Sequence, residues 1–109
     1  RMVEAGIATQ MSLKIISIQA KEGVAPGHEA SVAKLYGTEL NQRISRTALK
    51  VLGLYGQLDS KTEGVDASRF GRYKYQYLRA IANTIEGGTS EIQRNIIGER
   101  VLGLPREPR

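Results

Sequence analysis

The chain has 109 residues, of which 40% are hydrophobic, with no Cys, no Trp and a formal charge of +5. That length fits one domain of ordinary size, and the missing cysteines exclude a disulfide framework, a thiol nucleophile and a thiolate metal site. No apolar run approaches the roughly 20 residues that a membrane-spanning helix needs, while the positive charge suits nucleic acid, an anionic cofactor or a CoA thioester equally.

Proline occurs only at Pro26, Pro105 and Pro108. The long Pro-free stretches are rich in Ala, Leu, Lys, Glu and Gln, which favour helix. The first helix is predicted over about 3–21, with Ile7, Met11, Ile15 and Ile18 on one stripe. Its opening residues, Arg1-Met2-Val3, carry no signal-peptide pattern and already read as helix, as the start of a cut fragment does. Gly23-Val24-Ala25-Pro26-Gly27 ends this helix. The second is predicted over about 28–54, with Ala33, Leu40, Ile44, Ala48 and Val51 as its apolar stripe. Gly37 inside it suggests a close helix contact, and Gly53 and Gly56 mark the exit.

Residues 57–67 (QLDSKTEGVDA) read as a polar loop, with Asp66 or Ser68 to cap the third helix. That helix is predicted over about 68–85, with Phe70, Tyr73 or Tyr77, Ile81 and Ile85 facing inward. Gly87-Gly88 breaks the chain. Ser90-Glu91-Ile92-Gln93 matches a capping box, S-x-x-Q, at the start of a fourth helix over about 90–102. Pro105 and Pro108 stop its extension. Four helices with short connections predict an all-α, up-and-down four-helix bundle.

Three features carry chemistry or a simpler structural role. Gly87-Gly88-Thr89-Ser90-Glu91 places bare backbone and two hydroxyls at a helix N-terminus, where free N–H groups and a partial positive charge suit a phosphate. The same residues also make an ordinary Gly-rich turn with a cap. Glu86, just before the glycines, is placed to act as a base if it faces a cleft; otherwise it is a solvated residue at a helix end. Arg69, Arg72, Lys74 and Arg79 interleave with Tyr73, Tyr75 and Tyr77, a composition that nucleic-acid binders share. Because the arginines fall roughly on one helix face, a solvated or subunit-contacting face accounts for them without nucleic acid. His28 is the sole His and sits near a helix start, so no metal site is expected. No Ser has the partners of a hydrolase triad.

From Thr84 onward, TIEGGTSEIQRNIIGERVLGLPREP resembles the tail of acyl-CoA dehydrogenases, especially the actinobacterial members used in lipid and sterol side-chain breakdown. Pro26–Leu35, Glu39–Ile44 and Ala48–Gly56 resemble the second helix of that family's C-terminal domain and its exit. The resemblance implies a flavoenzyme with a helical, a β and a second helical domain, of which this chain supplies most of the last. It implies α,β-dehydrogenation of an acyl-CoA: a carboxylate takes the α-proton, FAD takes the β-hydride, and an electron-transfer flavoprotein reoxidises the flavin. It also implies a homo- or hetero-tetramer with FAD at a subunit boundary, in the cytoplasm, with no membrane or nucleic-acid partner. Carried onto this chain, it implies FAD contacts at Lys50, Gly53, Thr89, Ser90 and Glu91, and substrate near Gly88.

Two positions depart from the family pattern. Many members carry the catalytic Glu where this chain has Gly87, so the candidate base is Glu86, one residue earlier. A one-residue step on a helix turns a side chain by about 100°. The family's flavin-contacting Gln-x-x-Gly-Gly stands here as Lys50-Val51-Leu52-Gly53-Leu54. The expectation is a dehydrogenase domain that is inactive by itself. The alternatives are a degenerate partner subunit, or a helical oligomerisation module that keeps the fold without the chemistry, and a basic nucleic-acid-binding protein.

Overall fold

The computed structural model describes residues 1–23, 27–58 and 67–106, apart from the side chains of Glu22 and of residues 67–70. They form α1 (Met2–Glu22), α2 (His28–Leu52), a short 3-10 turn (Gly53–Gln57), α3 (Ala67–Asn83) and α4 (Ser90–Val101). The architecture is all-α. Glycines supply the punctuation. Gly23 takes a left-handed conformation (φ 63°) and returns its N–H to the carbonyl of Gln19, which closes α1 as an αL cap does. At Gly53, φ 55° and ψ −130° end α2 two residues before the expected boundary.

α2 is the hub: α1, α3, α4 and the 3-10 turn all pack on it, and among the described residues α1, α3 and α4 do not pack on one another. α1 runs antiparallel to α2. Near its start, Glu4 accepts from Arg43 Nη2 at 3.3 Å, and its carbonyl accepts from the Tyr36 hydroxyl at 3.4 Å. Further along, Met11 and Lys14 lie beside His28 and Val32. Met11, Ile15 and Ile18 are half-buried as the periodicity predicts, whereas Ile7 faces outward. On α2, Leu40 is buried and Ala33 and Ala48 are half-buried, but Val51 is 82% exposed and Ile44 is also exposed.

α3 packs through a different face from the one its bulky residues predict. Gly71 and Ala80 are buried and Lys74 and Tyr77 half-buried, while Tyr73, Ile81 and Ile85 are exposed. Tyr77 is thus the expected inward residue that does face inward. The covered positions 71, 74, 77 and 80 recur every three residues and cross the predicted stripe at Tyr77. Of these, the buried members Gly71 and Ala80 are small, and the larger Lys74 and Tyr77 are only half covered. The expected roles of Phe70 and of Asp66 or Ser68 as cap lie outside the described residues.

Gly37 makes no close helix contact, since a Cβ there would meet nothing within 4 Å. Gly56 does: a Cβ would come 3.0 Å from Leu49 Cδ2 and 3.3 Å from the Leu49 carbonyl. The resulting shape is flat and open. Its extents are 56 × 37 × 21 Å and its radius of gyration is 17.7 Å, against about 13 Å for a compact domain of this length. Among the described residues only Leu40 and Ala80 are fully buried hydrophobics. No described helix is long and apolar enough to cross a membrane.

Candidate functional site

The segment joining α3 to α4 is the most elaborately held part of the chain. α3 unwinds through tightening bonds: Thr84 N–H to the Ile81 carbonyl (3.2 Å), Ile85 N–H to Ala82 (2.9 Å) and Glu86 N–H to Ala82 (3.1 Å). Gly87 and Gly88 then turn the backbone at φ 65° and 97°, values that L side chains rarely adopt. Gln93, only 6% exposed, reaches back from α4 and donates its amide to the Gly87 carbonyl at 2.8 Å. A Cβ on Gly88 would lie 2.8 Å from that same amide nitrogen, whereas a Cβ on Gly87 would meet nothing within 4 Å.

The helix start differs from the expected capping box. Thr89, not Ser90, is the N-cap: its φ and ψ are −64° and 167°, and its hydroxyl accepts from the Ile92 N–H at 3.4 Å. Ser90 is the first helical residue. The reason is Gln93, which would have completed a box with Ser90 but is drawn instead to the Gly87 carbonyl. Glu91 lies in the first turn, where a negative charge complements the helix dipole. Its own backbone N–H, and then the Thr89 hydroxyl, hold its carboxyl below the usual range.

α2 grips this turn from below. Lys34 Nζ donates to the Gly88 carbonyl and, at 3.4 Å, to the Thr84 carbonyl. Gln42 Nε2 donates to Thr84 Oγ1 at 3.1 Å, and Arg94 pairs with Glu39. Sequence reading missed Lys34 and Gln42, because no local pattern marks a side chain that serves a turn 42 to 54 residues away, and it gave Gln93 a different partner, in the capping box. Between α2 and α4 lies an open groove of about 340 Å³ lined by Gly27, Ser31, Lys34, Gly87, Gln93 and Arg100 among others.

Glu86 projects from the same turn and is exposed. Arg79, two turns back on α3, holds it in a bidentate pair, with Nη2–Oε2 at 2.9 Å. The Arg79 hydrogen bonds lower the Glu86 carboxyl from its ordinary value, and the charges of Arg79 and Lys34 add to this. A carboxylate so held is a weaker proton acceptor than a free one. The pair also takes Arg79 out of the basic face expected for α3.

Lys50 and Gly53 are not brought to this turn. Lys50 is exposed at the far end of α2, sixteen residues beyond Lys34, or about 24 Å along a helix. The candidate site therefore falls into two parts. One is the turn with Glu86, Gly88, Thr89, Ser90 and Glu91. The other is the α2 exit with Lys50 and Gly53, where Leu54 is also exposed.

The described residues thus form an all-α domain that presents a di-glycine turn and a capped helix start on its surface. A family model described as the acyl-CoA dehydrogenase C-terminal domain matches residues 2–102, and the chain belongs to that family. It is 35% identical over 102 residues to acyl-CoA dehydrogenase IpdE1 of Mycobacterium tuberculosis, covering 94% of this chain and 25% of that protein. It is 41% identical over 81 residues to acyl-CoA dehydrogenase FadE26 of the same organism, covering 74% of this chain and 20% of that protein. Among solved structures, a chain of the ChsE4-ChsE5 complex from Mycobacterium tuberculosis superposes with a TM-score of 0.83 at 35% identity, over 97% of this chain and 26% of that one. The chain thus spans about a quarter of the length of the relatives it matches.

Proposed function

We propose that this chain works as the C-terminal helical domain of a flavin-dependent acyl-CoA dehydrogenase, contributing cofactor and subunit contacts to the α,β-dehydrogenation of an acyl-CoA in the cytoplasm. The observation that carries this reading is the 84–91 turn. Its glycines leave the backbone bare for close approach, and its carbonyls are engaged from below, by Lys34 and Gln93. The donor set fits FAD. Thr89 and Ser90 bring hydroxyls, and Glu91, already charged, suits a sugar hydroxyl better than a second anion. Bound FAD would supply the hydride acceptor. Gly88 lies beside these groups, where substrate is expected, and Lys50 and Gly53 serve a second contact. Their distance from the turn suits a cofactor held at a subunit boundary, with each end of α2 facing a different one.

Glu86 is the base candidate of this chain. To take an α-proton at its Oε atoms it must first leave Arg79. In the full-length enzyme, Glu86→Gln is expected to lower turnover; unchanged turnover would eliminate the role. The test of the whole reading uses FAD binding and acyl-CoA-dependent reduction of a dye or an electron-transfer flavoprotein. Full-length protein is expected to do both. Robust turnover by these 109 residues alone would overturn the domain reading.

A second reading is favoured by two observations together. Glu86 is committed to Arg79, and the open position at 87 carries no side chain. Both suit a partner subunit that shapes the site while another subunit brings the base. Co-purification with a Glu-bearing subunit, and inactivity of the homo-oligomer, would establish it; full activity of the homo-oligomer would exclude it.

A further inference from the structure

We infer that Lys34 is a positioning residue that sets the direction of the Thr89 peptide N–H, and through it the grip on the cofactor. The inference rests on the proposed cofactor role of the turn. All described peptide bonds are trans, so each carbonyl and the N–H of the next residue point in opposite directions across one plane. Lys34 draws the Gly88 carbonyl toward α2; the Thr89 N–H therefore points away from α2. Gln93 holds the neighbouring Gly87 carbonyl from α4, which fixes the Gly88 N–H by the same rule. Among the described residues neither N–H meets a protein acceptor. The Thr89 N–H, at the start of α4, is thereby left available to an acceptor oxygen.

Glycine makes such control necessary. At φ 65° and 97° these residues have neighbouring conformations of similar energy, including ones that flip a peptide plane. A fixed cation holding the carbonyl removes that freedom. Lys34 also carries its charge behind the turn, half-buried, where it adds to the positive potential that the Thr89 N–H presents. Gln42, bonded to the Thr84 hydroxyl, fixes the other end of the same segment. Lys34 touches neither substrate nor cofactor in this arrangement. Its effect passes through the peptide planes.

The experiment compares unaltered full-length protein with Lys34→Met and Lys34→Arg. The readouts are the FAD dissociation constant, the FAD-induced rise in melting temperature, and helicity by circular dichroism. Losing a charged hydrogen bond that orients the donor is expected to weaken FAD by about tenfold to a hundredfold in Lys34→Met. Helicity should stay intact and the FAD-induced rise should shrink. Lys34→Arg, which keeps charge and donors, is expected to recover most of the affinity. A merely structural lysine would lower the melting temperature equally with and without FAD and leave the dissociation constant unchanged, and that result overturns the inference. If Lys34→Met does not fold, Lys34→Gln takes its place, and tight FAD binding by that variant overturns it equally. Failure of the unaltered protein to bind FAD would instead remove the proposed function, and the positioning role with it.

Discussion

The α3–α4 turn and the outer faces of the helices are built on opposite principles. At the turn, directional bonds from within the chain hold the backbone: Lys34 and Gln93 serve the carbonyls of Thr84, Gly87 and Gly88, and Gln42 the Thr84 hydroxyl. The outer faces are apolar and uncovered. Val3, Leu13 and Ile16 on α1, Leu78 on α3 and Ile85 just after it, and Val51 and Leu54 at the α2 exit are all more than half exposed. Directional hydrogen bonds fix the turn without help, whereas apolar burial is non-directional and needs a second surface. These 109 residues therefore specify the geometry of the turn by themselves but leave most of their hydrophobic free energy unrealised. The faces on α1 and α3 are where the proposed subunit contacts belong.

That contrast can be broken at either region. The largest effect is expected at Gly88. Gly88→Ala forces a side chain into a left-handed conformation and pushes the Gln93 amide off its carbonyl, for a loss of about 3 kcal/mol in denaturation of the full-length protein. Gly87→Ala has only the backbone strain to meet, about 1–2 kcal/mol. Equal costs would mean that Gln93 does not constrain the turn. Leu13→Ala addresses the other region. If a partner surface covers α1 in the full-length protein, the cost is expected near 2 kcal/mol or more. A cost below about 0.5 kcal/mol, the usual value for a surface site, would show that the face stays bare.

Gln93→Leu keeps volume but leaves the Gly87 carbonyl without its donor, and is expected to lose about 2 kcal/mol. Thr89→Ala removes the helix cap and is expected to lose about 1 kcal/mol, while Ser90→Ala should change stability by less than about 0.5 kcal/mol. The reverse order would restore the Ser90 capping box. The smallest effect belongs to Glu86. Its carboxyl is depressed by Arg79 from the ordinary 4.5, so the pair's contribution is complete above that value and is lost as pH falls through the lower folded one. Glu86→Gln should therefore flatten part of the acid limb of the stability profile, leaving the parts due to Glu4 and Glu91, which are lowered too. An unchanged acid limb would mean the ion pair is absent in solution.

Much of the fold was legible because glycine and proline act locally. Gly23, Gly53 and the Gly87-Gly88 pair end helices close to where the sequence places the boundaries, through backbone conformations that few other residues adopt. The inner face of α3 was not legible in the same way. Tyr77 is covered as expected, but Tyr73, Ile81 and Ile85 are exposed beside the buried Gly71 and Ala80, and periodicity fixes the spacing of a stripe without saying which of its members a neighbouring helix covers. The contacts of α3 with α2 and the 3-10 turn decided it. The cap at Thr89 was hidden for another reason: Thr89 and Ser90 are equally good caps, and the choice depended on where Gln93 found its partner.

The sequence by itself determined four helices, their approximate limits, the absence of thiol chemistry and the family to which the chain belongs. All of these come from local conformational preference, composition or a contiguous motif. Only the tertiary structure decided that α2 is the hub, that Glu86 is tied to Arg79, that Lys50 stands about 24 Å along α2 from Lys34, and that Lys34 reaches across 54 residues to the Gly88 carbonyl. Such contacts come from the crossing of helices distant in the chain, and their energy depends on distances that no local pattern encodes.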